Sequence, residues 1–144
     1  MGMVNEVLVE YKISSKQLDD RRVHELISRS RTGVAYDFFD KLQRHTPFTV
    51  EAWSSYLPTT TRTLQRQKAG NKAFKTLQTE RILRLALLFQ KGIAVFGDEA
   101  NFFKWTEQAN VALGGERPKA FFDSTFGIDM INDELSRIEH GVLA

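Results

Sequence analysis

From Thr79 to Val95 the chain reads TERILRLALLFQKGIAV, which places Ile82, Leu83, Ala86, Leu87, Phe89 and Ile93 on most sides of a helix. A helix apolar on nearly every side has to be wrapped by other elements. Its greasiest stretch, Leu85 to Phe89, lies between Arg84 and Lys91 and is far too short to span a bilayer. The fold therefore has to supply a shell around a central helix, with Thr79 expected to cap it.

The rest of the sequence offers such a shell. Val23, Leu26 and Ile27 recur at helical spacing within residues 18–29, and Ala35, Phe38, Phe39 and Leu42 form an amphipathic stripe after Gly33. Thr49 is placed to cap a short helix carrying Ala52, Trp53 and Tyr56, and Thr59 or Thr60 starts another through Leu64. A turn at Gly97-Asp98 leads to a helix with Phe102, Phe103 and Trp105, and Pro118 opens a short helix as a first-turn proline can. Thr125 is expected to cap the last helix, in which Ile128, Ile131, Leu135, Ile138 and Val142 alternate at spacings of three and four. Only residues 1–17 resist this reading. Val7, Val9 and Tyr11 alternate as in a strand, but no other run offers a partner, so an extended or disordered arm is expected. The fold class is all-α.

An apolar fraction of 42% and a charged fraction of 26% suit a globular chain of 144 residues, with one core or two small ones sharing helices. There is no cysteine, which excludes disulfides and cysteine-ligated zinc. Glu6 and Glu10 stand where a signal peptide would place its apolar core, so a cytoplasmic protein is expected. The net charge of +2 hides an uneven distribution. Residues 1–95 carry 16 Lys and Arg against 9 Asp and Glu, whereas residues 96–144 carry 4 against 9. Two parts with different partners are implied, the basic part facing a polyanion.

The basic part contains WSSYLPTTTRTLQR, residues 53–66, which reads as a short helix, a tight turn and a second helix rich in Thr, Gln and Arg. In a helix-turn-helix the second helix enters the major groove and its N-terminal residues meet the base edges. Thr60 and Thr61 at the start of that helix, with Arg62, Gln65 and Arg66 along it, suit this task, since Arg pairs with guanine and Gln with adenine in two places. No acidic side chain occurs from Ala52 to Thr79, and Lys68 and Lys72 add to the phosphate-neutralising charge. The stretch resembles the lambda-repressor/Xre helix-turn-helix, from which it departs at Ser54, Pro58 and Thr59.

From Glu80 onward a second resemblance runs to the end of the chain. Phe96-Gly97-Asp98, Ala100, Trp105, Asn110, Leu113-Gly114-Gly115 and Arg117-Pro118 occur in order, followed by Thr125-x-Gly127 and Leu135-x-Arg137-Ile138-Glu139-x-Gly141-Val142. This region is similar to the Xre/MbcA/ParS toxin-binding domain, the C-terminal half of antitoxins paired with RES-domain toxins. Departures at Thr106, Lys119-Ala120 and Leu143 fall on packing or contact surface. The resemblance implies an antitoxin that blocks the active site of an NAD-consuming RES-domain toxin and represses its own operon through operator DNA.

Under that reading residues 1–17 form an arm, 18–78 a helix-turn-helix and dimerisation region, and 79–144 a toxin-binding domain. A homodimer is expected through the helices of residues 18–45, because such proteins commonly bind two half-sites. Arg117, Arg137, His140 and Gly141 are expected to meet the toxin, with Val142, Leu143 and Ala144 as an apolar plug entering its pocket. Those last residues could equally fold back on their own bundle. A stand-alone regulator and a plasmid-partition protein are the alternative functions. No catalytic residues, metal site or cofactor are expected: His24, His45 and His140 lack ligand spacing, Ser54-Ser55 lacks a nucleophile elbow, and Gly114-Gly115 opens no phosphate loop.

Overall fold

The computed structural model describes residues 3–10 and 20–141. Helices α1 (Met3–Glu10), α2 (Asp20–Thr32), α3 (Tyr36–Arg44), α4 (Val50–Tyr56) and α5 (Thr61–Gly70) precede the central helix α6 (Thr76–Phe96). Helix α7 (Glu99–Thr106) and two 3-10 turns, Val111–Leu113 and Pro118–Phe121, lead into α8 (Thr125–Glu139). Helices and turns thus account for all the regular structure among the described residues, apart from one isolated bridge between Ala35 and Ala73.

The central helix behaves as its composition demands. Ile82, Leu83, Leu85, Ala86, Leu88, Phe89 and Ile93 are buried, and α1, α2, α7 and α8 pack around them. Phe48, in the link between α3 and α4, joins the two ends of this core. Its ring meets Trp53, Tyr56, Phe89, Phe103 and Phe122 at centroid separations of 5.6–6.2 Å, mostly edge to face.

Three local expectations need correcting. Residues 3–10 are helical and not an extended arm, with Val4, Val7 and Leu8 buried and the Val4 amide donating to the Glu99 carboxylate. With no strand to pair with among the described residues, this segment satisfies its own backbone as a helix, and spacings of three and four put its apolar residues on one face. The rest of the expected arm lies outside the described residues. Helix α6 starts four residues early: Thr79 sits within its first turn, fully buried, and the N-cap is Lys75. Helix α8 is capped by Ser124, whose Oγ accepts from the Gly127 amide at 3.0 Å, and not by Thr125.

The loop after α5 is fixed by pairing with the link between α2 and α3. The Phe74 amide donates to the Val34 carbonyl at 2.8 Å and the Tyr36 amide to the Lys72 carbonyl at 3.2 Å. The Asp37 amide reaches Asn71 Oδ1 at 3.1 Å. Gly33 permits this approach: its φ is +88°, and a β-carbon there would stand 2.5 Å from the Phe74 carbonyl oxygen.

Candidate DNA-contact and partner-contact surfaces

Helices α4 and α5 form a turn whose parts are separately fixed. Thr49 caps α4 by accepting from the Ala52 amide at 3.1 Å. Trp53 is fully buried, edge-on to Phe39, and its indole N–H donates to Thr46 Oγ1 at 3.3 Å. Leu57 ends the helix in the core, and the Thr59 amide bonds back to the Ser54 carbonyl at 2.9 Å. Thr60 then caps α5. Its hydroxyl oxygen accepts from the Thr63 amide at 3.1 Å and lies 3.0 Å from Thr63 Oγ1. Only Leu64 of α5 is buried, with Thr61, Thr63 and Gln67 half-buried beside it, so one apolar anchor and two ends hold the helix while Arg62, Gln65 and Arg66 face outward.

The residues expected to meet DNA are distributed unevenly on this helix. Arg62, Gln65 and Arg66 are exposed and share the face opposite Leu64, as spacings of three and four require. Arg62 and Arg66 form no ion pair among the described residues. Thr61 is half-buried on the flank, and Thr60 spends its hydroxyl on the cap. Lys68 is exposed and lines, with Gln65, a shallow cleft that also holds Asp40 of α3. Acidic residues absent from the linear stretch are therefore nearby in space, although Asp40 is paired with Arg44 at 2.6 Å. Lys72 lies beyond α5, in the loop that Tyr36 and Asn71 hold in place.

The residues expected to meet a protein partner do not converge. Arg117 is exposed and lines a cleft of about 610 Å³ between α4 and the 3-10 turns, together with Phe48, Tyr56, Lys119 and Asp123. Lys119 in the same wall is paired with Glu107 at 2.6 Å. Burial pushes the Tyr56 phenol well above its ordinary range, helped by the Glu107 and Asp123 carboxylates, so it stays a neutral wall of this cleft. Arg137 and His140 stand instead on the last turns of α8. Arg137 Nε donates to Glu134 at 3.0 Å, His140 is the C-cap, and Gly141 follows at a φ of +66°. Val142, Leu143 and Ala144 lie outside the described residues.

One exposed side chain was not anticipated. Phe126 in the first turn of α8 is 88% exposed, on the side opposite the buried Ile128, Ile131 and Leu135. Its position was readable, since it falls off the apolar stripe of that helix. No three His, Asp or Glu side chains cluster as metal ligands among the described residues, and none of their helices is long and apolar enough to cross a membrane.

Residues 25–87 match the antitoxin Xre-like helix-turn-helix domain, and residues 91–141 match the antitoxin Xre/MbcA/ParS C-terminal toxin-binding domain. The two matched regions meet inside α6. No curated protein matches the chain. With both halves assigned, the chain belongs to the Xre-type antitoxins of toxin–antitoxin pairs, which join a helix-turn-helix to a toxin-binding domain.

Proposed function

We propose that this antitoxin works in the cytoplasm, where it neutralises a RES-domain, NAD-consuming toxin by covering its active site and represses its own operon by binding operator DNA. The observation that carries the DNA half is α5: a capped helix whose outer face presents Gln65 with Arg62 and Arg66, neither of which forms an ion pair among the described residues. The toxin half rests on the toxin-binding domain and on its resemblance, from Glu80 onward, to antitoxins paired with RES-domain toxins. Arg117 in its cleft and Arg137, His140 and Gly141 at the end of α8, with the Val142–Ala144 plug beyond, are the contacts proposed from the sequence.

A homodimer fits the same reading, because two copies place two α5 helices on half-sites about one DNA turn apart. Supporting it, Val23 and Ile27 of α2 are 41% and 40% exposed and line a groove with Leu26, Leu83 and Leu87. Two of the three apolar side chains on this stripe of α2 are therefore left exposed by the described chain.

The test has two arms. The chain is expected to retard DNA from upstream of its own gene and to restore growth of cells expressing the adjacent reading frame. An Arg62→Ala, Arg66→Ala double variant should lose the first property and keep the second. A chain that neither binds that DNA nor protects those cells would refute the reading.

A further inference from the structure

We propose that the outer face of α8, anchored by Phe126, is the surface that docks onto the toxin, and that the toxin offers there an apolar pocket rimmed by cations. This rests on the antitoxin reading above and names the contact it leaves open.

Phe126 is the one exposed aromatic side chain among the described residues. It is not a loosely held side chain at a frayed end. The Ser124 cap closes the first turn, and the backbone at Gly127 sits so close to the Phe121 carbonyl that a β-carbon would stand 2.2 Å from it. Ile128, Ile131 and Leu135 fix the opposite side in the core. The helix is thereby locked in rotation, with Phe126 held outward on a rigid support. Aromatic side chains presented in this way are the usual energetic centres of protein interfaces.

The rest of that face defines the partner. Asp129, Asp133, Arg137 and His140 follow Phe126 at spacings of three and four, giving a stripe about 21 Å long at the 1.5 Å rise of a helix. Asp129 is 63% exposed and pairs with Arg84 at 3.6 Å, Asp133 is exposed, and the Arg137 charge is drawn back onto Glu134. The stripe is acidic around its apolar end, in a region with 4 Lys and Arg against 9 Asp and Glu. Asp133 and the carboxylate excess of this region disfavour DNA, whose phosphates they repel. A second copy is disfavoured too, since a two-fold contact centred on this stripe would bring Asp133 onto its own image. A cation-rimmed apolar groove on another protein fits both features, as in helix-in-groove recognition. The stripe also ends at His140 and Gly141, where contact with the toxin was expected from sequence.

The test measures affinity of the full chain for the protein encoded by the adjacent reading frame, by calorimetry, for wild type, Phe126→Ala and Asp133→Lys. Phe126→Ala should keep the wild-type melting temperature and DNA retardation while weakening the toxin complex at least about thirtyfold, the size of an interface hot spot. Asp133→Lys should weaken the complex, more at low salt than at high salt. Unchanged affinity for Phe126→Ala overturns the proposal, as does a loss of self-association in place of toxin binding. If wild type itself does not bind, the antitoxin–toxin pairing fails first; binding by wild type that ignores both substitutions defeats this surface alone.

Discussion

The ring of Phe102 occupies the space over Gly92, with its Cε1 atom 2.1 Å from where a β-carbon on residue 92 would stand. Gly92 lies in the interior of α6, where alanine would ordinarily be the better helix former by about 1 kcal/mol. Contact decides the sign. Phe102 is fully buried and stacks within 6.2 Å of Phe89, Phe96, Phe103 and Trp105, so its ring has nowhere to retreat. Gly92→Ala is expected to destabilise the fold by about 1–3 kcal/mol through overpacking. A lowered urea midpoint with an unchanged slope is the readout, and a midpoint raised by the better helix propensity contradicts the packing account.

Thr79 ties two distant segments together. Its hydroxyl oxygen accepts from the Val34 amide at 3.3 Å and its proton goes to the Phe74 carbonyl at 3.2 Å, all in the interior. Thr79→Val keeps the shape but orphans a buried donor, a cost of about 1–3 kcal/mol. Thr79→Ser keeps both bonds and removes one methyl, worth about 0.8 kcal/mol. The Val variant should therefore be the less stable by thermal melting. Equal losses would mean that the bonds carry nothing beyond packing.

Much of this was legible in the sequence, and the misses share a cause. The periodicity of α3, α6 and α8 was strong enough to find them; at α5 the sequence offered Thr59 or Thr60 and the cap is Thr60, whereas the cap Thr49 was readable because it precedes Ala52, Trp53 and Tyr56 by the required spacing. The start of α6 was not, because Thr76, Leu77 and Gln78 bury too little to show a period, and Leu77 is 80% exposed. Ser124 and Thr125 are adjacent and both able to cap, so choosing between them takes the backbone angles. In Met3–Glu10 the helical spacing of Val4, Val7 and Leu8 competes with the alternation of Val7 and Val9, and contacts with α6 and α3 decide between them. The same limit applies to Val23 and Ile27: their spacing predicts a helix but not which of them the fold leaves uncovered.

Alkaline pH should weaken the fold through its buried phenols. Burial raises the Tyr56 pKa well above 10, the Glu107 and Asp123 carboxylates add to this, and Tyr36 is raised as well by burial and Asp40. Above the ordinary tyrosine pKa of about 10, the unfolded chain releases protons that the folded chain keeps, so stability falls as pH rises. Below that pH neither group contributes a slope. The urea midpoint of Tyr56→Phe should decline less between about pH 10 and pH 11.5 than that of wild type, with Tyr36 supplying part of what remains. An identical decline would show that Tyr56 ionises as freely folded as unfolded.

Thr60 and Arg66 separate the making of α5 from its use. The Thr60 hydroxyl is engaged with Thr63 through both backbone and side chain, so its main work is to hold the first turn. Thr60→Ala should cost about 1 kcal/mol of stability, and Thr60→Ser should restore most of it. Arg66 is exposed, with no ion pair among the described residues, so Arg66→Ala should leave stability within about 0.5 kcal/mol. Its effect belongs to the DNA. If Arg66 meets a phosphate, removal weakens binding to all sequences alike and reduces the slope of log K against log salt by about 0.9. If it meets a guanine edge, the operator is weakened selectively, by about 1–3 kcal/mol, while the slope holds. Measuring retardation of operator and unrelated DNA at two salt concentrations tells these apart, and an Arg66→Ala chain that binds both as wild type does removes Arg66 from the DNA face of α5.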